Sequence, residues 1–324
     1  MKTVLSGIQP SGKLHLGNYL GATRQHVEMQ EKFKCIYLIA DLHALTTVRD
    51  PEQMRSNTLD LAMDYLALGI DPEKTIFFKQ SDVTQHAELT WIFDCITPIG
   101  LLERAHAWKD AEAKKIKEMT AGLFNYPVLM AADILVYRPD LVPVGKDQKQ
   151  HIEIARDIAM KFNEHFGETL PMPQDYIKPE VAVVPGTDGQ KMSKSYKNTI
   201  DIFAEESVLK KQVMGIVTDS KGINEPKDPA TCIPYLLYKH LASSQEAAEM
   251  ELQLTKGGTG YGDIKKTLLA KILEYFAQAR EKRTELIKKP DEIYDILSDG
   301  AKKARVIASK TMEEVKRKVG LTAA

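Results

Sequence analysis

From Thr3 to Gly186, short apolar runs alternate with helix-length segments, and after Ser195 the alternation stops. Strands apolar on both faces, joined through amphipathic helices, form parallel sheets covered on both sides. The strand-like runs are TVLSGI (3–8), CIYLIADLHAL (35–45, running into a loop), TIFFKQS (75–81), DLVPVG (140–145) and VAVVPG (181–186). Helices are expected over 16–33, 51–69, 86–96 and 147–167. The second has Pro51 in its first turn and Gly69 at its end, which are start and stop signals. The last places Ile154, Ala155, Ile158, Ala159 and Phe162 on one face.

Beyond Ser195 the segments 205–217, 234–241, 244–254 and 263–289 all read as helices. TDSKGINEPKDPA (218–230) reads as a flexible turn between the first two. Pro290 stops the long helix and Asp291 can cap the next, which is one helix or two because Gly300 interrupts it. A chain of 324 residues exceeds one average domain. The expectation is α/β: a doubly wound domain over 1–195 and a helical domain over 196–290. A C-terminal helix over 291–324 is expected to pack back on the first domain.

Composition fits a globular protein, with 43% hydrophobic and 27% charged residues. The net charge of -1 divides into -4 over residues 1–195 and +3 over 196–324, so the helical part permits a polyanionic partner without demanding one. Cys35, Cys95 and Cys232 lie far apart without metal-ligand spacing and read as core thiols. No segment resembles a signal peptide and no apolar run reaches membrane-spanning length, so a cytoplasmic protein without a membrane partner is expected.

Two stretches carry chemistry. SGIQPSGKLHLGNYLG (6–21) is a strand, a loop with Gly7, Gly12 and Gly17 around it, and a helix start. Such a turn lets backbone approach a bulky ligand and offers N–H groups to phosphate, although it also serves tight β-to-α packing. GQKMSKSYKN (189–198) puts Lys191 and Lys194 on a loop, where they can meet a polyphosphate as point charges or form an ordinary solvated turn.

Together these stretches resemble the signatures of class I aminoacyl-tRNA synthetases. KMSKS (191–195) matches their second signature, and HLGN (15–18) resembles the first, with Asn18 in place of the second histidine. GIQPSGKLHLGNYLGA, YPVLMAADIL (126–135) and VPVGKDQKQHIE (142–153) resemble the bacterial tryptophanyl branch, and the resemblance spans essentially the whole chain. It implies a Rossmann-like doubly wound parallel sheet with a C-terminal α-helical domain. It also implies a two-step reaction. The tryptophan carboxylate attacks the α-phosphate of ATP, pyrophosphate leaves, and the aminoacyl group passes to tRNA(Trp) with release of AMP. Such chemistry needs alignment and charge neutralisation rather than a protein nucleophile. Mg²⁺ is expected to be carried with ATP, with no protein metal site. A homodimer is implied, with tRNA reaching across subunits.

The resemblance assigns His15, Asn18, Lys191 and Lys194 to catalysis. Gln9, Pro10, Ser11, Gly17 and Asn18 would line the ATP site. Gly145, Lys146 and Asp147 would meet the ribose side, and Val183 or Val184 would present backbone to adenine. The KMSKS loop, with Met192, Ser193 and Ser195, would cover the phosphates. For tryptophan, Asp133 would accept the indole N–H. Tyr126 and Gln148 would meet the ammonium end, Gln9 would also border the tryptophan, and Met130, His43, Val142 and Val144 would form walls. A carboxylate within so apolar a helix as MAADIL costs stability unless something donates to it.

Two departures stand out. Leu5 replaces a phenylalanine of some relatives, and WKDAEAKK has Lys109 but Ala111 where relatives repeat lysine, leaving Lys114 or Lys115 as substitutes. Cys232 alone cannot hold the metal cluster some relatives carry. Arg280 and Arg283 on the long helix are candidate tRNA contacts. Asp133 could equally accept a phenol O–H, so tyrosyl-tRNA synthetase is the alternative within the class. Outside it stand a non-tRNA adenylyltransferase and an RNA-binding paralogue.

Overall fold

A computed structural model of the chain describes residues 1–113, 118–145, 148–176 and 183–322. The chain opens with β1 (Thr3–Ile8). A continuous helical rod follows, α1 (Leu16–Asn18), a π-helical turn (Tyr19–Thr23) and α2 (Arg24–Met29). β2 (Lys34–Ile39) is buried along nearly its whole length and leads into the short α3 (Asp41–Ala44). α4 (Pro51–Ala67) begins where the Asp50 carboxylate accepts from the Glu52 and Gln53 N–H groups, and Gly69 ends it at φ +110°. β3 (Thr75–Lys79), α5 (Gln85–Asp94), α6 (Ile99–Glu103), α7 (His106–Ala113) and α8 (Ala121–Leu135) follow. Then come β4 (Leu141–Pro143), α9 (Lys149–Phe166) and β5 (Gln174–Tyr176).

Among the described residues five strands form one sheet, all parallel, in the order β3-β2-β1-β4-β5. The order reverses between β1 and β4, so a crevice opens at the carboxyl ends of these two strands, where open α/β sheets take ligands. The fifth strand is 174–176, not 181–186. Pro185 makes only an isolated bridge with Lys191, and Val181 and Ala182 lie outside the described residues. The polar sequence of β5 hid it. It lies at the sheet edge, where one side needs no apolar cover.

From Glu205 onward the regular elements among the described residues are helices: α10 (Glu206–Met214), α11 (Ile233–Tyr238), α12 (Ser244–Lys256), α13 (Tyr261–Tyr275), α14 (Ala277–Leu286) and α15 (Pro290–Lys318). The segment read as one helix over 263–289 breaks at Phe276, which has φ -97° and ψ 8°. The break seats the Phe276 ring edge-on against Tyr19, 4.8 Å between centroids, and Tyr19 Oη meets Tyr275 Oη at 2.9 Å. α15 is a single helix with Pro290 in its first turn. Asp291 also lies in that turn rather than capping it. Gly300 is required because a Cβ there would collide with the Phe77 carbonyl of β3. Ala301, Ala304 and Ala308 continue the same small-residue face, so the helix lies close along the outer strand of the sheet and covers its edge.

The 218–230 stretch is held rather than loose. Buried Lys227 donates to the carbonyls of Gly222, Ile223 and Glu225 and sits 5.1 Å over the Tyr261 ring. Arg280 donates to the Ile202 and Ala204 carbonyls, and Arg283 pairs with Asp60 and Asp64 of α4. Both arginines serve the junction between α14 and the sheet region, not a solvent face. Of the cysteines, Cys35 and Cys232 are buried while Cys95 is exposed, so only two are core thiols. Among the described residues, no helix is long and apolar enough to cross a membrane.

Candidate active site

The crevice between β1 and β4 is a cavity of about 630 Å³. One end is built by the loop after β1. Gly12 holds φ +102°, a conformation that suits glycine, and the Lys194 ammonium lies across the turn, donating to the Ser11 carbonyl at 3.2 Å and to Ser11 Oγ at 3.4 Å. Burial lowers the ammonium pKa, while the carboxylates of Asp201 and Asp64 oppose the shift.

His15 caps α1 reciprocally with Asn18. His15 Nδ1 accepts from the Asn18 N–H at 3.2 Å, and Asn18 Oδ1 accepts from the His15 N–H at 3.3 Å. Burial and then the nearby Lys194 charge hold His15 down at about 4, with Asp201 pulling the other way. The ring is therefore neutral at physiological pH, with its proton on Nε2.

The two signatures touch. The Gly17 N–H lies 3.2 Å from Met192 Sδ, and a Cβ on Gly17 would stand 3.1 Å from both Met192 Cβ and His15 Nδ1. Met192 N–H donates to the Val184 carbonyl at 2.9 Å. Asn198 fixes the loop from beneath. Its amide donates to Asp188 and to the Lys191 carbonyl, and its Oδ1 accepts from the Ser193 N–H at 2.8 Å. Gly186 packs so tightly on Asn198 that no side chain fits there.

The other end of the cavity is formed by α8, α3 and β4. Asp133 is buried, and His43 Nε2 lies 2.8 Å from its Oδ2. Gln80 Nε2 and His86 Nδ1 approach its Oδ1 at 2.7 and 2.6 Å. Burial pushes the Asp133 carboxyl up, but the hydrogen bonds from His43 and His86 lead the opposing effects and leave it at about 2. Tyr126 Oη meets His151 Nε2 at 3.0 Å, and burial, with Asp110 behind it, raises that hydroxyl to about 12. Gln9 Nε2 reaches the His43 carbonyl at 3.4 Å.

Of the residues expected from sequence, Gln9, Ser11, Asn18, Lys194 and Gly145 line this cavity, together with His43, Tyr126, Met130, Asp133, Val142, Val144 and Gln148. Leu5 lines it too. Pro10, His15, Gly17, Val184, Met192, Ser193 and Ser195 stand outside the lining. Val183 is 67% exposed, and the Lys191 side chain is exposed beyond the wall. Lys146, Asp147, Lys114 and Lys115 lie outside the described residues. Sequence reasoning missed Thr46, Thr47 and His151 in the lining, and Gln80, His86 and Asn198 behind it. His151 stands within VPVGKDQKQHIE and could have been found there. Gln80 and His86 sit after β3 with no local signal.

The profile of the class I tRNA synthetases (W and Y) matches residues 1–277. The chain is 53% identical to a tryptophan–tRNA ligase of Fusobacterium nucleatum, over 99% of this chain and 98% of that one. It is 50% identical to one of Campylobacter jejuni, over 98% and 99%. A crystal structure of tryptophanyl-tRNA synthetase from Campylobacter jejuni complexed with ADP and tryptophan matches with TM-score 0.93 at 50% identity, covering 98% of this chain and 99% of that one. One from Mycoplasma pneumoniae matches with TM-score 0.83 at 31% identity, covering 99% and 98%.

Proposed function

We propose the residue roles that follow for a chain that belongs to the tryptophanyl branch of the class I aminoacyl-tRNA synthetases. The reaction activates L-tryptophan with ATP to tryptophanyl-adenylate, releasing pyrophosphate, and then transfers the aminoacyl group to tRNA(Trp), releasing AMP. One observation carries the assignment of roles: a single cavity has Lys194 and the His15–Asn18 turn at one end and the ionised Asp133 at the other.

ATP lies at the first end. Lys194 meets charge that develops on the pyrophosphate, and Lys191 joins it when the loop moves over the phosphates. Gly17 and Asn18 pack against the nucleotide beside neutral His15, which holds the turn in shape without adding charge. Gln9, Pro10 and Ser11 border the phosphates. Gly145 borders the ribose side, and the family resemblance assigns Lys146 and Asp147, outside the described residues, to the ribose as well. Val183 or Val184 offers backbone to adenine, and Met192, Ser193 and Ser195 carry the loop. Mg²⁺ arrives with ATP, coordinated by phosphate oxygens and water. Among the described residues no group of three His, Cys, Asp or Glu side chains is placed to hold a metal ion.

Tryptophan lies at the second end. A carboxylate has about four acceptor positions, and three on Asp133 are filled by His43, Gln80 and His86, leaving one for the indole N–H. Tyr126, Gln148 and Gln9 take the ammonium end, and Met130, His43, Val142 and Val144 enclose the ring. Residues 1–195 form the catalytic domain, 196–290 the helical domain that binds the anticodon, and 291–324 the helix returning to the first. The enzyme works in the cytoplasm as a homodimer that binds tRNA across subunits.

ATP–pyrophosphate exchange measured with each amino acid in turn tests this reading. Exchange should depend on tryptophan. Exchange driven equally by tyrosine, or by no amino acid, would refute it.

A further inference from the structure

Asp133 is gripped from behind by residues that do not reach the cavity. His86 on α5 is wholly buried, with Nδ1 at 2.6 Å from Asp133 Oδ1 and Nε2 at 2.8 Å from Tyr137 Oη. Gln80, also wholly buried, donates to the same Oδ1. An ionised carboxylate only accepts, so the His86 nitrogen facing it must carry a proton. In a neutral imidazole the other nitrogen is then an acceptor, and the Tyr137 hydroxyl is the donor that satisfies it. Burial, followed by the Asp133 charge, raises the Tyr137 pKa and keeps that hydroxyl protonated. The donors therefore run one way, from Tyr137 through His86 to Asp133.

The consequence falls on the other oxygen. Oδ1 is saturated by His86 and Gln80. Oδ2 keeps one acceptor position beside His43, which is itself a cavity wall. With two donors on Oδ1 the carboxylate cannot rotate about its axis without breaking both.

We infer that His86, held by Tyr137, is a specificity-determining positioning residue of the tryptophan site. It locks Asp133 so that a single acceptor position meets the cavity, and that position selects a ring bearing an N–H over rings without a donor. The inference rests on the assignment of Asp133 as the indole acceptor. A site built around one hydrogen bond rejects analogues lacking it because its own buried group is left unpaired. That rejection requires the acceptor to stay in place.

The test compares His86→Leu, His86→Asn and Tyr137→Phe in the full-length enzyme by pyrophosphate exchange with tryptophan, phenylalanine and 1-methyltryptophan, after circular dichroism confirms folding. His86→Leu should raise the tryptophan KM roughly ten- to a hundredfold and cut the tryptophan-over-phenylalanine ratio of kcat/KM at least about tenfold. kcat and the ATP KM should stay within about threefold. His86→Asn, whose amide can still donate to Oδ1, should keep most of that ratio. Tyr137→Phe should shift KM and ratio in the same direction by about three- to tenfold. If His86→Leu does not fold, Tyr137→Phe decides. Wild-type enzyme that uses 1-methyltryptophan as well as tryptophan would refute the Asp133 assignment itself. Wild-type enzyme that rejects it, with Tyr137→Phe keeping wild-type KM and ratio, would overturn only the role of His86 and Tyr137.

Discussion

Replacing Arg283 by methionine removes the cation that α14 presents to Asp64. Arg283 Nε donates to Asp64 at 2.5 Å, Nη2 donates to Asp60 at 2.8 Å, and the guanidinium lies 5.2 Å over the Phe203 ring. The Asp64 carboxyl sits at about 6 rather than 3.8. Burial raises it more than Arg283 lowers it, Asp60 adds to the rise, and the Leu14 N–H opposes it. A carboxyl held at about 6 already costs the fold about 3 kcal/mol near pH 7.5, at about 1.4 kcal/mol per pH unit. Without Arg283 the pKa climbs further, until the group folds protonated. That sets a ceiling of about 5 kcal/mol at pH 7.5, only about 2 more than the wild type carries. Losing the Asp60 contact and the Phe203 stacking adds about 1 kcal/mol. Arg283→Met should therefore lose about 3 kcal/mol by urea denaturation at about pH 7.5. The pH dependence has a definite sign. The folded pKa exceeds the unfolded one, so the folded state binds the extra proton and wild-type stability falls as pH rises from about 4 to 6. Near pH 5.5 both proteins fold with Asp64 mostly protonated, and the electrostatic part of the difference shrinks to a few tenths of a kcal/mol. Asp64→Asn should restore part of the loss in the Arg283→Met background. Pyrophosphate exchange and tRNA charging should fall together, since Asp64 also borders Leu14 of the signature loop. The reasoning fails if Arg283→Met keeps wild-type stability and exchange at pH 7.5 while charging alone drops, the behaviour of a residue that contacts tRNA.

Lys194→Ala should slow adenylate formation by about 10²-fold or more, with tryptophan affinity by equilibrium dialysis nearly unchanged. An unchanged exchange rate would remove the phosphate role. Asp133→Asn leaves the indole N–H, and at least one of His43, Gln80 and His86, without an acceptor, so the tryptophan KM should rise about 10- to 100-fold and rejection of phenylalanine should collapse. Retained selectivity would make the carboxylate structural. His15 and His26 are held at about 4, chiefly by burial and for His15 also by the Lys194 charge. The unfolded chain takes up protons first as pH falls from about 6.5, so these groups cost about 3 kcal/mol each by pH 4, and Tm should drop steadily between pH 6.5 and 4.5 despite the opposite trend of Asp64. A Tm that is flat or rising over that range would contradict their burial as neutral rings. Gly300→Ala forces a methyl into the Phe77 carbonyl and should cost about 1–3 kcal/mol or more by thermal denaturation, whereas no change would mean α15 does not lie on β3.

The first four strands and the helices α1–α2, α4, α5 and α9 were legible from short apolar runs, turn signals and 3.6-residue patterns, whereas the short helices α3, α6 and α7 were not read. β5 was not, since QDY has no apolar signal and its pairing depends on β4 arriving beside it. The break at Phe276 has neither glycine nor proline, and its cause, the ring of Tyr19, lies 257 positions away. TDSKGINEPKDPA read as a flexible turn, with nothing to mark Lys227 as buried. Only the fold shows three carbonyls converging on it. At the site, short motifs delivered the residues that touch the cavity, because backbone geometry concentrates them after β1, on α8 and after β4. The support behind them was hidden for the opposite reason. His86, Tyr137 and Asn198 act through contacts set by packing, and Arg280 and Arg283 read as candidate tRNA contacts because their carbonyl and carboxylate partners are remote in sequence.

The seat of α15 on β3 has a bearing on how the protein is made. A ribosome adding about 5–20 residues per second delivers Gly300 roughly 10–45 s after Phe77. Throughout that interval β3 emerges and pairs with β2 while its outer edge has no cover from α15. The helix that closes the edge is made long after the strand it covers, so the strand waits for its cover. During this window a second nascent chain on the same message presents the same open strand, and edge-to-edge pairing between the two competes with the intramolecular closure. The alanine-and-glycine face of α15 shortens the contest. Gly300, Ala301, Ala304 and Ala308 have no side-chain rotamers to arrange, so this part of the helix seats on the sheet at little conformational cost.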